Sequence, residues 1–264
     1  MISIRGKTIE KKKQKKQKCL EQEKRMKIDV ILTGKEVSPE QVKGTAVVVV
    51  DVLRATSVII TALKNGAKSV VPVQSVEEAL LTKKKLEQVV LGGERKAQKI
   101  EGFDLSNSPL EYTHTAIHDK NVILTTTNGT LAITRSSAAK RVLIGALLNA
   151  TAVAKEAVRE DTDIIVVNSG TNGQFSMDDF ITTGALIHEM LKEKPYELTD
   201  IARTSLFIYE SHPDLISYVK EAKHYKVLEN LQLEEDLAYC FQKDLLEVVH
   251  EYKNGVIRLS ENVV

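Results

Sequence analysis

Cysteine is scarce in this chain. Only Cys19 and Cys240 occur, with no paired spacing, which excludes a disulfide framework or a Cys-based zinc cluster and fits a reducing compartment. No apolar run approaches the roughly 20 residues that a membrane helix needs. The N-terminus lacks the apolar core of a secretion signal. Net charge is only +1, so the molecule as a whole does not advertise nucleic-acid binding. No Gly-x-x-x-x-Gly-Lys-Ser/Thr loop and no Gly-x-Ser-x-Gly elbow is present. Leu53 stands two residues after Asp51, so the Asp-x-Asp signature of haloacid-dehalogenase-type phosphatases is missing. The six histidines have no metal-ligand spacing and read as structural or exposed. Internal repeats and Pro/Gly-rich linkers are also absent.

What remains is an ordinary globular composition, 42% apolar and 28% charged, over 264 residues. That suits one α/β domain in the cytoplasm. Residues 1–25 differ from the rest: lysines at 11–13, 15, 16 and 18 are interleaved with glutamine. The bland reading, a basic leader without a specific partner, is preferred to a nucleic-acid or lipid-binding tail. Met26 runs directly into a strand-like segment and reads as a natural start. Residues 26–264 are therefore taken as the single domain.

The chain is organised around Val47-Val48-Val49-Val50-Asp51-Val52-Leu53-Arg54-Ala55-Thr56-Ser57. A β-branched run that is apolar on both faces suits a strand buried inside a sheet. It ends in an acid, a base and two hydroxyls, then passes into a helical pattern. Further strands are expected at 28–32, 69–73, 89–91, 121–126, 141–144 and 163–167. Asn65-Gly66 should end the first helix. Ser75 and Ser108-Pro109 should open two more as capping boxes, and Asn149 should cap a helix through Val158. After Ser176 the pattern is helical, at 177–192, 198–209, 214–223 and 234–249. Strands separated by helices predict a mainly parallel, three-layer α/β fold with a helix-rich C-terminal part.

Polar clusters follow several strands: Asp51 to Ser57, Gly93-Glu94-Arg95, Gly102 to Pro109, Thr125 to Thr130, and Asn168 to Asp179. In a parallel sheet these loops share the carboxyl edge, where ligands bind. Carboxylates there suit a hard divalent cation such as Mg²⁺. Arginine forks, hydroxyls and helix N-termini suit a phosphate. A carboxylate that ends a buried strand is costly without a partner, so Asp51 reads as functional. Other signals have structural competitors. Glu94-Arg95 equally suits a surface pair, and Asn128-Gly129 a plain turn. Asp104 and Ser108 suit a turn and a cap, and capping accounts for Asp179 as well.

In order, Asp-Val-Leu-Arg-Ala-Thr-Ser (51–57), Gly-Glu-Arg (93–95), Gly-Phe-Asp-Leu-Ser-Asn-Ser-Pro (102–109), Thr-Thr-Asn-Gly-Thr (126–130) and Phe-Ser-Met-Asp-Asp (175–179) resemble the 2-phosphosulfolactate phosphatase family. The resemblance runs from Met26 to the C-terminus. It implies a Mg²⁺-dependent hydrolase converting (R)-2-phospho-3-sulfolactate to 3-sulfolactate and phosphate, in coenzyme M or sulfolactate synthesis. Asp51, Arg54 and Glu94 are then the expected catalytic set. Arg54 and Arg95 would clamp the polyanion, with Thr56, Ser57, Ser108, Asn128, Gly129 and Thr130 contributing hydroxyl or backbone N–H contacts. Asp51 and Glu94 are the first candidates to hold Mg²⁺ or position water, with Asp104 and Asp179 behind them. Direct attack by water is preferred to an aspartyl-phosphate on Asp51, because no acid/base partner stands at the spacing the latter needs. A non-catalytic anion-binding protein on the same fold is the alternative. No nucleic-acid or membrane partner is expected, and homo-oligomerisation stays open.

Overall fold

The computed structural model describes residues 26–260, so the basic leader and any role for it lie outside the described residues. The first strand, β1, is Lys27–Ile31. The valine run forms β2, Ala46–Val50, with all five residues buried. Helix α1 follows at Ala55–Lys64 and ends at Asn65-Gly66, where Gly66 has φ +97°. Then come β3 (Ser69–Val73), α2 (Val76–Lys83), β4 (Val89–Arg95) and β5 (Gln98–Lys99). Next are β6 (Asn121–Thr125), α3 (Gly129–Arg135), β7 (Arg141–Gly145), α4 (Ala150–Ala157) and β8 (Ile164–Asn168). Helix α5 (Met177–Glu193), β9 (Glu197–Leu198), α6 (Asp200–Ser211) and α7 (Leu215–Val219) lead into the C-terminal part. That part holds α8 (Lys223–Asn230), α9 (Glu234–Cys240), β10 (His250–Lys253) and β11 (Val256–Leu259).

The eleven strands form one sheet in the order β5-β4-β6-β3-β11-β10-β7-β2-β8-β1-β9. Strand β2 lies parallel between β7 and β8, and β6 lies parallel between β3 and β4. The hairpin β10–β11 is wedged between β7 and β3, antiparallel to both. Five inter-strand steps separate β6 from β2, about 24 Å in a flat sheet at about 4.8 Å per step. Yet Gly129, just after β6, packs on the side chain of Asp51, just after β2. The sheet must therefore curl.

Its concave face wraps α1, in which every residue from Ala55 to Ala62 is buried. Val58, Ile59 and Ile60 of α1 share one core with Val47, Val49, Val70, Leu124, Ile144, Val167 and Ile257 from six strands. Alternation along β2 sends Val48 and Val50 to the other face, against Val153 of α4, Ile181 of α5 and Ala202 of α6. Helix α2 covers the far end, where Ala79 packs on Val73, Leu91 and Ile123. Helices on both faces of a mainly parallel sheet match the expected three-layer architecture.

Local expectations fail at five places, the first at Ser75, which accepts from Glu78 N–H but forms no capping box because the Glu78 carboxylate takes Gln74 N–H instead. The Ser108-Pro109 signal opens only a 3-10 turn, and Ser108 does not cap it. Asn149 does not cap α4 either; its amide accepts from Ala146 N–H and donates to the carbonyls of Ile144 and Val248. The segment expected as one helix over 214–223 is the short α7, with α8 starting where it should have ended. The helix expected over 234–249 stops at Cys240, and the chain goes on into the central hairpin. Among the described residues no helix is long and apolar enough to cross a membrane.

Candidate active site

The turn after β2 is built from its own side chains. Thr56 Oγ1 accepts from Asp51 N–H at 3.1 Å and donates to Asp51 C=O at 2.9 Å. Ser57 Oγ donates to Val52 C=O at 2.9 Å. Both hydroxyls are fully buried and committed to the backbone, so they shape the turn and are not offered to a ligand. Asp51 Oδ1 accepts from Ala55 N–H at 3.1 Å. Burial pushes the Asp51 carboxyl up to about 6; the Ala55 N–H and His224 oppose the rise, while Asp178 and Glu94 add to it.

Glu94, near the end of β4, is buried and faces the same space. Its Oε1 accepts from Thr127 N–H and its Oε2 from Ala97 N–H, both at 2.8 Å. Asp51, Arg54, Glu94 and Asn128 all line one cavity of about 240 Å³. Thr126 and Thr127 after β6, and Thr171 and Asn172 after β8, complete the strand-end contribution. Lys96, Asn107, and Lys223 and His224 of α8 close it from the sides.

Arg54 is not the free clamp that the sequence suggests. Its guanidinium is 2% exposed, forms an ion pair with Asp236 of α9 through Nη1, and donates from Nη2 to Ala97 C=O at 3.2 Å. Asp236 also accepts from Ser108 Oγ at 2.6 Å. The ion pair and Ser108 thus tie α9 and the 106–109 loop to the turn after β2.

Several expected site residues lie elsewhere. Side chains alternate along β4, so Glu94 faces the cavity and Arg95 does not line it. Arg95 instead donates to Glu94 C=O, Gln74 C=O and Thr125 Oγ1. Asp104 borders a separate hollow with Gln88 and His118, and its Oδ2 accepts from Leu91 N–H at 2.8 Å. Asp179 is buried, with Oδ1 on Val52 N–H and Oδ2 on Gly170 N–H, both at 3.0 Å. Burial and the charges of Asp178 and Asp51 hold its carboxyl well above the usual range. Thr130 closes a ring with Thr126, in which each hydroxyl accepts the other residue's N–H. Gly129 is a packing residue beneath Asp51.

The four-carboxylate metal set is therefore not assembled. Among the described residues no group of three His, Cys, Asp or Glu side chains is placed to hold a metal ion. Asp51 and Glu94 do share the cavity. Mg²⁺ is usually held by one or two carboxylates together with waters and substrate phosphate, and this pair fits that sparse mode. One histidine, His224, which the sequence did not single out, borders the cavity. Its Nε2 lies 2.8 Å from Leu53 C=O; a carbonyl only accepts, so Nε2 carries the proton. No local sequence signal places α8 over a strand end more than a hundred residues away.

A curved, mainly parallel sheet with buried carboxylates and cations gathered at its carboxyl edge defines an α/β enzyme with a small polar cleft. The profile of the 2-phosphosulpholactate phosphatase family matches residues 31–255, and the chain belongs to that family. A Clostridium perfringens protein named "probable 2-phosphosulfolactate phosphatase" is 54% identical over 241 residues, covering 90% of this chain and 98% of its own length. Proteins of the same name from Clostridium kluyveri and Clostridium botulinum are 50% and 53% identical, covering 89% and 88% of this chain and 99% of their own lengths.

Proposed function

We propose that the protein hydrolyses 2-phospho-3-sulfolactate to 3-sulfolactate and phosphate with Mg²⁺, in the cytoplasm. The observation that carries this reading is the convergence of Asp51, Glu94 and Arg54 on one cavity at the carboxyl edge of the sheet. Family membership supplies the substrate class. Buried, unpaired Cys240 accords with a reducing compartment.

Backbone N–H groups of Ala55, Thr127 and Ala97 fix both carboxylates in direction. Asp51 and Glu94 would hold Mg²⁺, which when bound neutralises phosphate charge and acidifies a water. Lys96 and Lys223 border the cavity and draw in a polyanion. Arg54 uses only part of its five-donor fork on Asp236 and Ala97, leaving N–H groups for phosphate oxygens. Asp51, mostly ionised above pH 6, orients the attacking water and takes its proton. The water oxygen bonds to phosphorus as the ester P–O bond breaks, and the departing alkoxide takes a proton from solvent water in the open cleft; His224, with its Nε2 proton held by Leu53 C=O, turns only Nδ1 to the cavity.

The test is phosphate release from synthetic 2-phospho-3-sulfolactate and from 2-phospholactate, each with Mg²⁺ and with chelator. Release that requires Mg²⁺ and favours the sulfonated ester is expected. Binding without release from any phosphorylated 2-hydroxy acid would mark a non-catalytic anion binder instead. Single turnover in ¹⁸O-water should put the label in phosphate; label in Asp51 would establish an aspartyl-phosphate.

A further inference from the structure

Asn107 holds a position that nothing in the fold requires of an asparagine. Its side chain is 4% exposed, yet the buried Oδ1 meets no hydrogen-bond partner. The residue lines the same cavity as Asp51, Arg54 and Glu94. It is not among the non-glycine residues with positive φ, so its backbone conformation does not call for Asn. Buried amides without partners are rare because desolvation is uncompensated.

The loop around it is firmly held. Ser106 N–H and Oγ both donate to Glu111, at 2.6 and 2.7 Å. Tyr112 Oη donates to Ser106 C=O at 2.8 Å. On the other side, Ser108 N–H donates to Ser106 Oγ at 3.1 Å, and Ser108 Oγ donates to Asp236, the partner of Arg54. The residues on either side of Asn107 are thus pinned, and its amide alone is left uncommitted. That is the arrangement of a preorganised ligand contact.

We propose that Asn107 is a substrate-contact residue, its amide donating a hydrogen bond to an anionic oxygen of the bound phosphoester. This rests on the phosphatase reading of the cavity. Oδ1 is the end shut away from solvent, so the NH₂ is the end left to meet a ligand. A neutral donor suits a place beside a guanidinium that Asp236 already neutralises in part, and it discriminates by geometry where the exposed lysines act by charge alone. A site that hydrogen-bonds a substrate group rejects analogues lacking it far more strongly than an apolar pocket does.

The test compares wild type with Asn107→Ala and Asn107→Asp. KM and kcat are measured on the phosphoester, Mg²⁺ half-saturation is determined, and calorimetric binding of inorganic phosphate and of 3-sulfolactate is followed without turnover. Alanine should weaken substrate or product-anion binding roughly tenfold to a hundredfold, with Mg²⁺ half-saturation unchanged. Aspartate should weaken anion binding at least as much, since it sets a carboxylate against an anion. If alanine unfolds the loop, Asn107→Ser carries the same comparison. Unchanged KM and anion affinity in the alanine variant would overturn the proposal and leave Asn107 as filler. Tighter Mg²⁺ half-saturation in Asn107→Asp, with anion affinity kept, would overturn it in favour of a cation ligand. Loss of product-anion binding in the variants of a wild type that turns over no phosphoester would uphold this contact while sinking the phosphatase reading.

Discussion

Gly129 is pressed against Asp51 so closely that a Cβ there would stand 2.6 Å from Oδ2 of the carboxylate and 2.5 Å from the Ala55 Cβ. Gly→Ala ordinarily stabilises a helix by about 1 kcal/mol. Here the added methyl has to displace the carboxylate or push α3 from α1. Gly129→Ala should therefore lower kcat/KM at least tenfold and lower Tm. Paired kinetics and thermal melts check this, and a raised Tm with unchanged activity would contradict it.

Arg54 has two roles that substitution can separate. Arg54→Ala leaves Asp236 charged, buried and unpaired, and breaking such a pair costs about 3–5 kcal/mol. The variant should lose stability as well as activity. Arg54→Met combined with Asp236→Asn removes both charges and keeps an acceptor for Ser108 Oγ. This double variant should recover most of the urea-unfolding free energy and none of the activity. Arg54→Lys should stay impaired, since an ammonium cannot reproduce the two-armed contact to Asp236 and Ala97.

Asp179→Asn tests whether this carboxylate binds metal or builds the turn. Its two oxygens accept from Val52 N–H and Gly170 N–H, and an amide keeps only one acceptor. The variant should lose kcat through a displaced Asp51 turn, while on stability the lost acceptor and the relief of a buried carboxylate beside Asp178 and Asp51 act in opposite directions. Its Mg²⁺ half-saturation should stay near that of wild type. A large specific loss of Mg²⁺ affinity in a variant that melts normally would restore Asp179 as a ligand.

The elements that were legible in the sequence are those whose pattern is local. The buried run of β2 at 46–50 and the strand at 69–73 appear with the expected bounds, because β-branched residues flanked by turn signals permit little else. Asp51, Arg54, Glu94 and Asn128 were legible as a group because strand ends in a parallel sheet share an edge. What was lost depended on alternation or on tertiary contact. Arg95 follows Glu94, so the pleat that aims one at the cavity aims the other away. Asp104 failed because Leu105 bridges back to Gly92 and turns the carboxylate onto β4. The segment 241–249 carries apolar residues fit for a helix, but Leu246 N–H and the Val248 carbonyl are taken by Leu148 and Asn149, which steer it into the sheet. His224 and Asp236 reach the site only after the C-terminal helices fold back over it.

Asp51→Asn makes the cost of the site measurable. Burial raises the folded-state carboxyl to about 6 from an ordinary value of 3.8. A raised folded pKa means that the native state binds the proton more tightly than the unfolded chain. The stabilisation this gives is full below about pH 3.8 and is lost as pH rises through about 6. A difference of about two units corresponds to a penalty on the order of 3 kcal/mol at neutral pH. Asparagine keeps the acceptor for Ala55 N–H and carries no charge. Without divalent ions, Asp51→Asn should match wild type near pH 4, become the more stable of the two by pH 7, and be inactive. Subtracting the two stability profiles cancels the carboxylates remote from Asp51; Asp179, whose carboxyl the Asp51 charge helps to raise, adds to the difference with the same sign. Added Mg²⁺ should then stabilise wild type more than the variant and narrow the gap, because only wild type retains both carboxylates to bind it. Chemical unfolding between pH 4 and pH 8, with chelator and with Mg²⁺, checks both steps; parallel profiles at every pH would refute the burial argument, and a gap unmoved by Mg²⁺ would refute Asp51 as its ligand.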